Sequence, residues 1–282
     1  MALLEREGER AALAAVVAAA CGGQGQVVAV EGAAGIGKTR LLAEGRAEAG
    51  RAGMRVLTAR GMELEREFAY GVVRQLFEPV MATASEAERA EVLAGAAGQA
   101  GVLFAPSGPV AAPSLGGDAS FAVVHGLFWL TVNLCARGPV LLCVDDLQWS
   151  DAPSLRFLVH LLPRLEGLAL AVLVALRPAE PEVDQRLLDQ ITTDPLVELL
   201  HPAPLSQAGS AQLVRAVTSG AAQEAFCIAC HEVTGGNPLL LRELVNVAVA
   251  EGVAPTAAGV DRLVEIGSRA VGRRVTLSLA RL

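Results

Sequence analysis

The chain has 282 residues, of which 52% are hydrophobic and 19% charged, with a formal net charge of −7. That is enough for one large α/β domain plus a smaller one, and too apolar for a disordered chain. The acidic balance argues against gripping nucleic acid through overall charge, and only 4% aromatic residues leave an aliphatic core. No apolar run approaches the ~18 residues of a membrane span. Residues before Ala18-Ala19-Ala20-Cys21 carry Glu5, Glu7 and Glu9 against Arg6 and Arg10. An export signal needs a positive start, so this stretch reads as an amphipathic helix. Five cysteines, an odd number without a regular framework, fit reduced thiols in a cytoplasmic protein.

In chain order, Leu3 to Ala20 reads as a turn and then a helix. The apolar run Gln26-Val27-Val28-Ala29-Val30 reads as a buried strand, followed by Gly32-Ala33-Ala34-Gly35-Ile36-Gly37-Lys38-Thr39-Arg40 and a helix from about Lys38 to Ala49. Arg55–Ala59 is a second strand, and Tyr70–Met81 a helix with its stripe on Val73, Leu76, Phe77 and Val80. The section from Glu86 to Gly117 reads as one helix and then a loop holding Pro106, Pro109 and Pro113. Phe121–Ala136 is helical, and Gly138-Pro139 ends it. Val140–Val144 is a fully buried strand running into Asp145-Asp146. Ser150 or Asp151 caps the next helix, with Pro153 in its first turn. Leu168–Leu176 is another buried strand closed by Arg177-Pro178, and Val197–Leu200 a short last one. Helices follow at Ser206–Val217, Ala221–Val233, Leu239–Ala250 and Gly259–Val271. Alternating strands and helices, then helices alone, predict a parallel α/β domain over residues 1–203 with a helical subdomain over 204–270. Residues 271–282 start a further helical or winged-helix region.

The glycine stretch fits G-x-x-x-x-G-K-[ST], a loop whose backbone N–H groups and helix N-terminus cradle phosphates. Gly32 and Gly37 permit the backbone angles and close approach; Lys38 reaches the β- and γ-phosphates, and the Thr39 hydroxyl takes Mg²⁺. Among 23 Lys+Arg residues, Lys38 is the one lysine. Arginine serves as the cation elsewhere, and a compact ammonium is kept where a planar guanidinium would not fit. Val140–Asp146 has the form of a Walker B strand, apolar residues and then an acid, at the carboxyl edge of a parallel sheet. Asp145 is the Mg²⁺ carboxylate, Asp146 polarises the attacking water, and Arg177 at the next strand's end senses the γ-phosphate. The expected ligands are therefore ATP or ADP with Mg²⁺.

Val144-Asp145-Asp146-Leu147-Gln148-Trp149-Ser150-Asp151, Ala175-Leu176-Arg177-Pro178 and Thr234-Gly235-Gly236-Asn237-Pro238-Leu239 together resemble the ATPase module of the STAND class of AAA+-like proteins. The nearest likeness is to the large ATP-binding regulators of the LuxR family. Leu3-Leu4-Glu5-Arg6-Glu7 is similar to that family's opening motif, with Glu5 where glycine is frequent. The resemblance implies a three-layer P-loop NTPase domain with a parallel five-stranded sheet, and a helical lid. It further implies a nucleotide held between domain and lid, an adenine contact by Arg6, and Pro238 packed on the adenine. The implied activity is a slowly hydrolysing ATPase switch that can form a homo-oligomer on activation. DNA would be contacted only through a helix-turn-helix domain beyond this chain, which is expected to be the N-terminal part of a longer regulator. Two alternatives are an ATP-driven remodelling machine and the same switch coupled to another output, such as a nucleotide cyclase.

Cys227-Ile228-Ala229-Cys230-His231 spells C-x-x-C-H, but in a helical run without export signals it reads as part of a lid helix, and neither His201 nor His231 completes a zinc spacing. No G-x-S-x-G elbow supports a serine hydrolase. Trp129 is expected in the core, and His125 and His160 in packing or surface roles.

Overall fold

The computed structural model describes residues 3–105, 117–178 and 184–268. The proline loop expected near Pro106, Pro109 and Pro113, and everything expected from residue 269 on, lie outside the described residues. Two compact units are present: Glu7–Gly32 with Lys38–His201, and 3–6 with Ala33–Gly37 and 202–268.

The larger unit runs α1 (Glu7–Cys21), β1 (Gln26–Glu31), α2 (Lys38–Arg51), β2 (Arg55–Arg60), α3 (Gly71–Thr83), α4 (Glu86–Val92), α5 (Gly117–Cys135), β3 (Val140–Asp145), α6 (Ala152–Leu161), β4 (Leu170–Leu176), α7 (Gln185–Thr192) and β5 (Val197–Leu200). The strands form one sheet of order β2-β3-β4-β1-β5, parallel throughout. Every residue of β4 and all of β3 up to Val144 are buried. A central parallel strand has helices on both faces, which is why these runs are apolar without alternation. The edge strand β2 instead alternates, with Leu57 and Ala59 inward. β4 starts at Leu170, later than its apolar run, because Gly167 takes φ 77° and Leu168 N bonds back to Leu165 O, closing a turn.

Several local expectations are corrected. The section after Glu86 is α4, capped by the reciprocal Ser85–Glu88 box, followed after Gly95 (φ 64°) by a 3₁₀ segment, Gly95–Leu103. Its alanines pack so closely on α5 that a Cβ at Gly126 would lie 2.6 Å from Ala100 N. Trp129 is exposed rather than core. The buried face of α5 follows Leu127, Leu130 and Leu134, one helical stripe, and Trp129 falls off it, its ring N–H donating to His125 Nε2 at 3.0 Å. The short helix α7, capped by Asp184 and burying Leu188 and Ile191, was not anticipated.

Asp151 caps α6. Its carboxylate is 2% exposed as a residue and accepts from Ser154 N (2.9 Å) and Ser154 Oγ (2.7 Å), and from Tyr70 N (2.7 Å) and Val72 N (3.3 Å) at the start of α3. One anion thus serves the N-termini of two helices, where the dipoles favour it.

The smaller unit contains α8 (Gln207–Val217), α9 (Glu224–Thr234), α10 (Pro238–Ala250) and a helical run over 260–268. Val214, Phe226, Cys227, Cys230, Leu241, Val245 and Leu263 form its core. Both cysteines of the C-x-x-C-H run are therefore inside a helix core, and burial pushes the Cys230 thiol up to about 12. Among the described residues no helix is long and apolar enough to cross a membrane.

Replacing Asp151 by alanine strands the N–H groups it serves. Asp151→Ala should destabilise the larger unit by about 3 kcal/mol or more, read from the urea midpoint at unchanged slope.

Candidate functional site

In the larger unit, the last residues of β1 and β3 and the first turn of α2 carry the sequence-predicted site. Gly32 N donates to Leu176 O (3.3 Å), tying the exit of β1 to the end of β4. Lys38, 6% exposed, donates from Nζ to Gly32 O at 2.7 Å, and the Thr39 hydroxyl donates to Asp145 Oδ2 at 2.7 Å. Lys38, Thr39 and Asp145 are thus at one rim of the sheet. Arg40 is turned along α2, where its Nη2 lies 3.7 Å from Glu44 Oε1.

Asp146 leaves the strand in the left-handed region (φ 50°, ψ 46°), so its side chain parts from that of Asp145. It is 8% exposed, and both oxygens are engaged. Oδ2 accepts from Arg60 Nε (3.1 Å) and Nη2 (2.8 Å), and Oδ1 accepts from Gln148 Nε2 (3.2 Å). The Arg60 pKa is raised, first by this hydrogen bond and then by the charge of Asp146. Gln148 in turn accepts from Arg177 N (3.2 Å), and Arg177 Nε is 4.0 Å from Asp146 Oδ1. Gln75 of α3 brackets Arg60, accepting from its N–H (2.9 Å) and donating to its carbonyl (3.1 Å). Sequence reading missed Arg60, Gln75 and Gln148. Arg60 pairs with Asp145 in register, so it ends β2 where the acid ends β3, a placement that strand order sets and no local pattern announces.

The smaller unit holds the tip of the glycine loop together with the opening and C-terminal motifs. Gly35 (φ 80°) and Gly37 (φ 108°) need the left-handed freedom of glycine, and Ile36 N closes a turn on Ala33 O at 3.3 Å. Arg6, expected against an adenine, is 4% exposed and spends its guanidinium on carbonyls: Glu5 O (2.7 Å), Ala203 O (2.6 Å) and Ile36 O (3.4 Å). Pro238 opens α10 in its first turn, behind the N-cap Asn237. Glu5, where the resembled family favours glycine, has φ 54°, a backbone that glycine adopts without strain. Its carboxylate offsets this by accepting from Ser206 N (2.8 Å) and Ser206 Oγ at the cap of α8. Those bonds hold its pKa below the usual 4.5.

The donor set suits a hard divalent cation: a hydroxyl and a carboxylate within hydrogen-bond distance, with a lysine in the same turn of helix. A parallel sheet of this order, with a glycine loop after β1 and a carboxylate ending β3, defines a P-loop NTPase fold of the AAA+ type. The chain belongs to the AAA ATPase domain family, whose pattern matches residues 2–175. No curated protein sequence matches it. Its fold is similar to that of the Aeropyrum pernix ORC2 protein in ADPNP–ADP complexes, with TM-score 0.56 and 16% identity over 94% of this chain and 68% of that one. It is similar to Drosophila ORC bound to DNA, with TM-score 0.56 and 16% identity over 93% of this chain and 60% of that one. A point mutant of Thermotoga maritima RuvB gives TM-score 0.52 and 10% identity over 93% of this chain and 70% of that one.

A depressed carboxyl pKa stabilises the fold above the unfolded value and ceases to as pH falls through the folded one. Glu5→Gln should therefore lower the melting temperature at neutral pH, and the difference from wild type should close below about pH 4.5.

Proposed function

We propose that the chain is an ATP-binding, slowly hydrolysing switch module. The observation that carries this is the Thr39–Asp145 hydrogen bond one residue from the buried Lys38. A P-loop site brings these three groups to one triphosphate and its cation. Lys38 would neutralise the β- and γ-phosphates, while Thr39 and Asp145 would hold Mg²⁺. When bound, the cation would supply neutralisation of the phosphate charge. Residues Gly32 to Arg40 would line the phosphate chain, with Pro238 packing on the adenine. Arg6, anchored by its carbonyl contacts, would contact the adenine.

Asp146 is the group to polarise the attacking water, and Arg177 the one to sense the γ-phosphate. Both Asp146 oxygens are engaged by Arg60 and Gln148, so a water must compete with a charge-assisted pair that is only partly open to solvent. This supports the reading of a gated, slow hydrolase. On the resemblance of its STAND-like motifs, the module would be part of a larger regulator of the LuxR family and would act in the cytoplasm. DNA would be read by a separate helix-turn-helix domain, and oligomerisation would follow activation.

Two substitutions test the site. Lys38→Ala should lose most ATP affinity with the fold intact, measured by calorimetry; unchanged affinity would end the assignment. Asp146→Asn should still bind ATP but slow single-turnover hydrolysis by roughly tenfold to a thousandfold.

A further inference from the structure

The tip of the glycine loop offers three consecutive carbonyl oxygens, those of Ala34, Gly35 and Ile36, and each accepts a hydrogen bond within the smaller unit. Asn237 Nδ2 donates to Ala34 O at 2.9 Å, Leu239 N to Gly35 O at 3.3 Å, and Arg6 Nη2 to Ile36 O at 3.4 Å. At the same time, Asn237 Oδ1 accepts from Leu239 N (3.1 Å) and Leu240 N (3.3 Å), capping α10. The Asn237 side chain therefore uses its acceptor on a helix and its donor on the loop. An acceptor alone suffices for a cap, so the donor contact is a second and separable role.

That role has a geometric consequence. In a planar trans peptide, the N–H points opposite to the C=O, and the described backbone contains no cis peptide bond. Fixing the Ala34 carbonyl toward Asn237 fixes the Gly35 N–H the other way. Fixing the Ile36 carbonyl toward Arg6 does the same for the Gly37 N–H. The intervening Ile36 N–H is spent on Ala33 O. The space for this is tight: a Cβ at Gly35 would lie 2.8 Å from Asn237 Oδ1. The N–H groups of Gly35 and Gly37, each turned away from its clamped carbonyl, are then left to face an anion, as backbone N–H groups do in anion-binding concavities.

We infer that Asn237 is a positioning residue for phosphate binding: its amide presets the loop's N–H groups by holding the carbonyl on the opposite side of the peptide. This rests on the proposed nucleotide site and extends it to a residue outside the glycine loop. Loss of the clamp weakens any ligand recognised through its phosphate chain, whether or not it carries a base. A contact to the adenine would behave differently, since its loss would spare tripolyphosphate.

The test is calorimetric titration of the full chain with ATP and with inorganic tripolyphosphate, both with Mg²⁺. Asn237→Ser keeps a cap acceptor on a side chain too short to reach Ala34 O. It should bind both ligands about tenfold more weakly, by the same factor, at an unchanged melting temperature. Asn237→Gly, also tolerated at helix N-caps, should show the same paired loss. Wild-type tripolyphosphate affinity in both variants would overturn the inference, as would weakening of ATP alone. Lys38→Ala keeps the two questions apart. If wild type binds tripolyphosphate and Lys38→Ala does not, the site stands whatever Asn237 does; if they behave alike, the nucleotide site itself fails.

Discussion

The constraint that governs the larger unit is the burial of two of its three internal strands, β3 as far as Val144 and β4 throughout. Between Val140 and Val144, and along all of Leu170–Leu176, no residue is open to solvent. Helices cover both faces, so a charged side chain on either strand would be desolvated without a partner. Polar chemistry is displaced to where the strands stop. Because all of them run parallel, they stop on the same rim, and Gly32, Arg60, Asp145 and Arg177 each stand at or just beyond a strand end.

Within that rim, one backbone angle separates two acids that the sequence sets side by side. Asp145 closes its strand in an extended conformation and faces Thr39, whereas Asp146 turns left-handed and faces Arg60 and Gln148. A left-handed aspartate costs about 1 kcal/mol, offset here by charge-assisted hydrogen bonds at both oxygens. Had both carboxylates followed the strand's alternation without this turn, they would have pointed to opposite faces of the sheet. The turn keeps them at one edge with distinct partners. Gly61 makes room for it, since a Cβ there would lie 3.0 Å from the Trp149 carbonyl carbon.

Much of this was legible because it rests on local patterns. Unbroken apolar runs gave the buried strands, and the spacing of Val73, Leu76, Phe77 and Val80 gave the core face of α3. Gly37-Lys38-Thr39 and the acid after Val144 gave the loop and the strand-end carboxylate. What escaped were contacts between residues distant in the chain. Nothing near Arg60 announces that it will meet Asp146, and nothing near Asp151 announces Tyr70 and Val72; strand order decides the first and helix packing the second. Arg6 was legible as part of the opening motif but not as a carbonyl clamp, because Ile36 and Ala203, whose carbonyls it holds, are distant in the chain. Trp129 misled because a large aromatic in an apolar helix suggests core, while its angular position puts it outside the stripe.

The distribution of thiols has a practical side. Cys135, Cys143, Cys227 and Cys230 are buried, and burial holds Cys135 and Cys143 up to about 12, so they stay protonated and unreactive at neutral pH. Cys21, closing α1, is the exposed one. A maleimide fluorophore added to this chain in its folded state should therefore attach at Cys21, giving an optical reporter on the first helix.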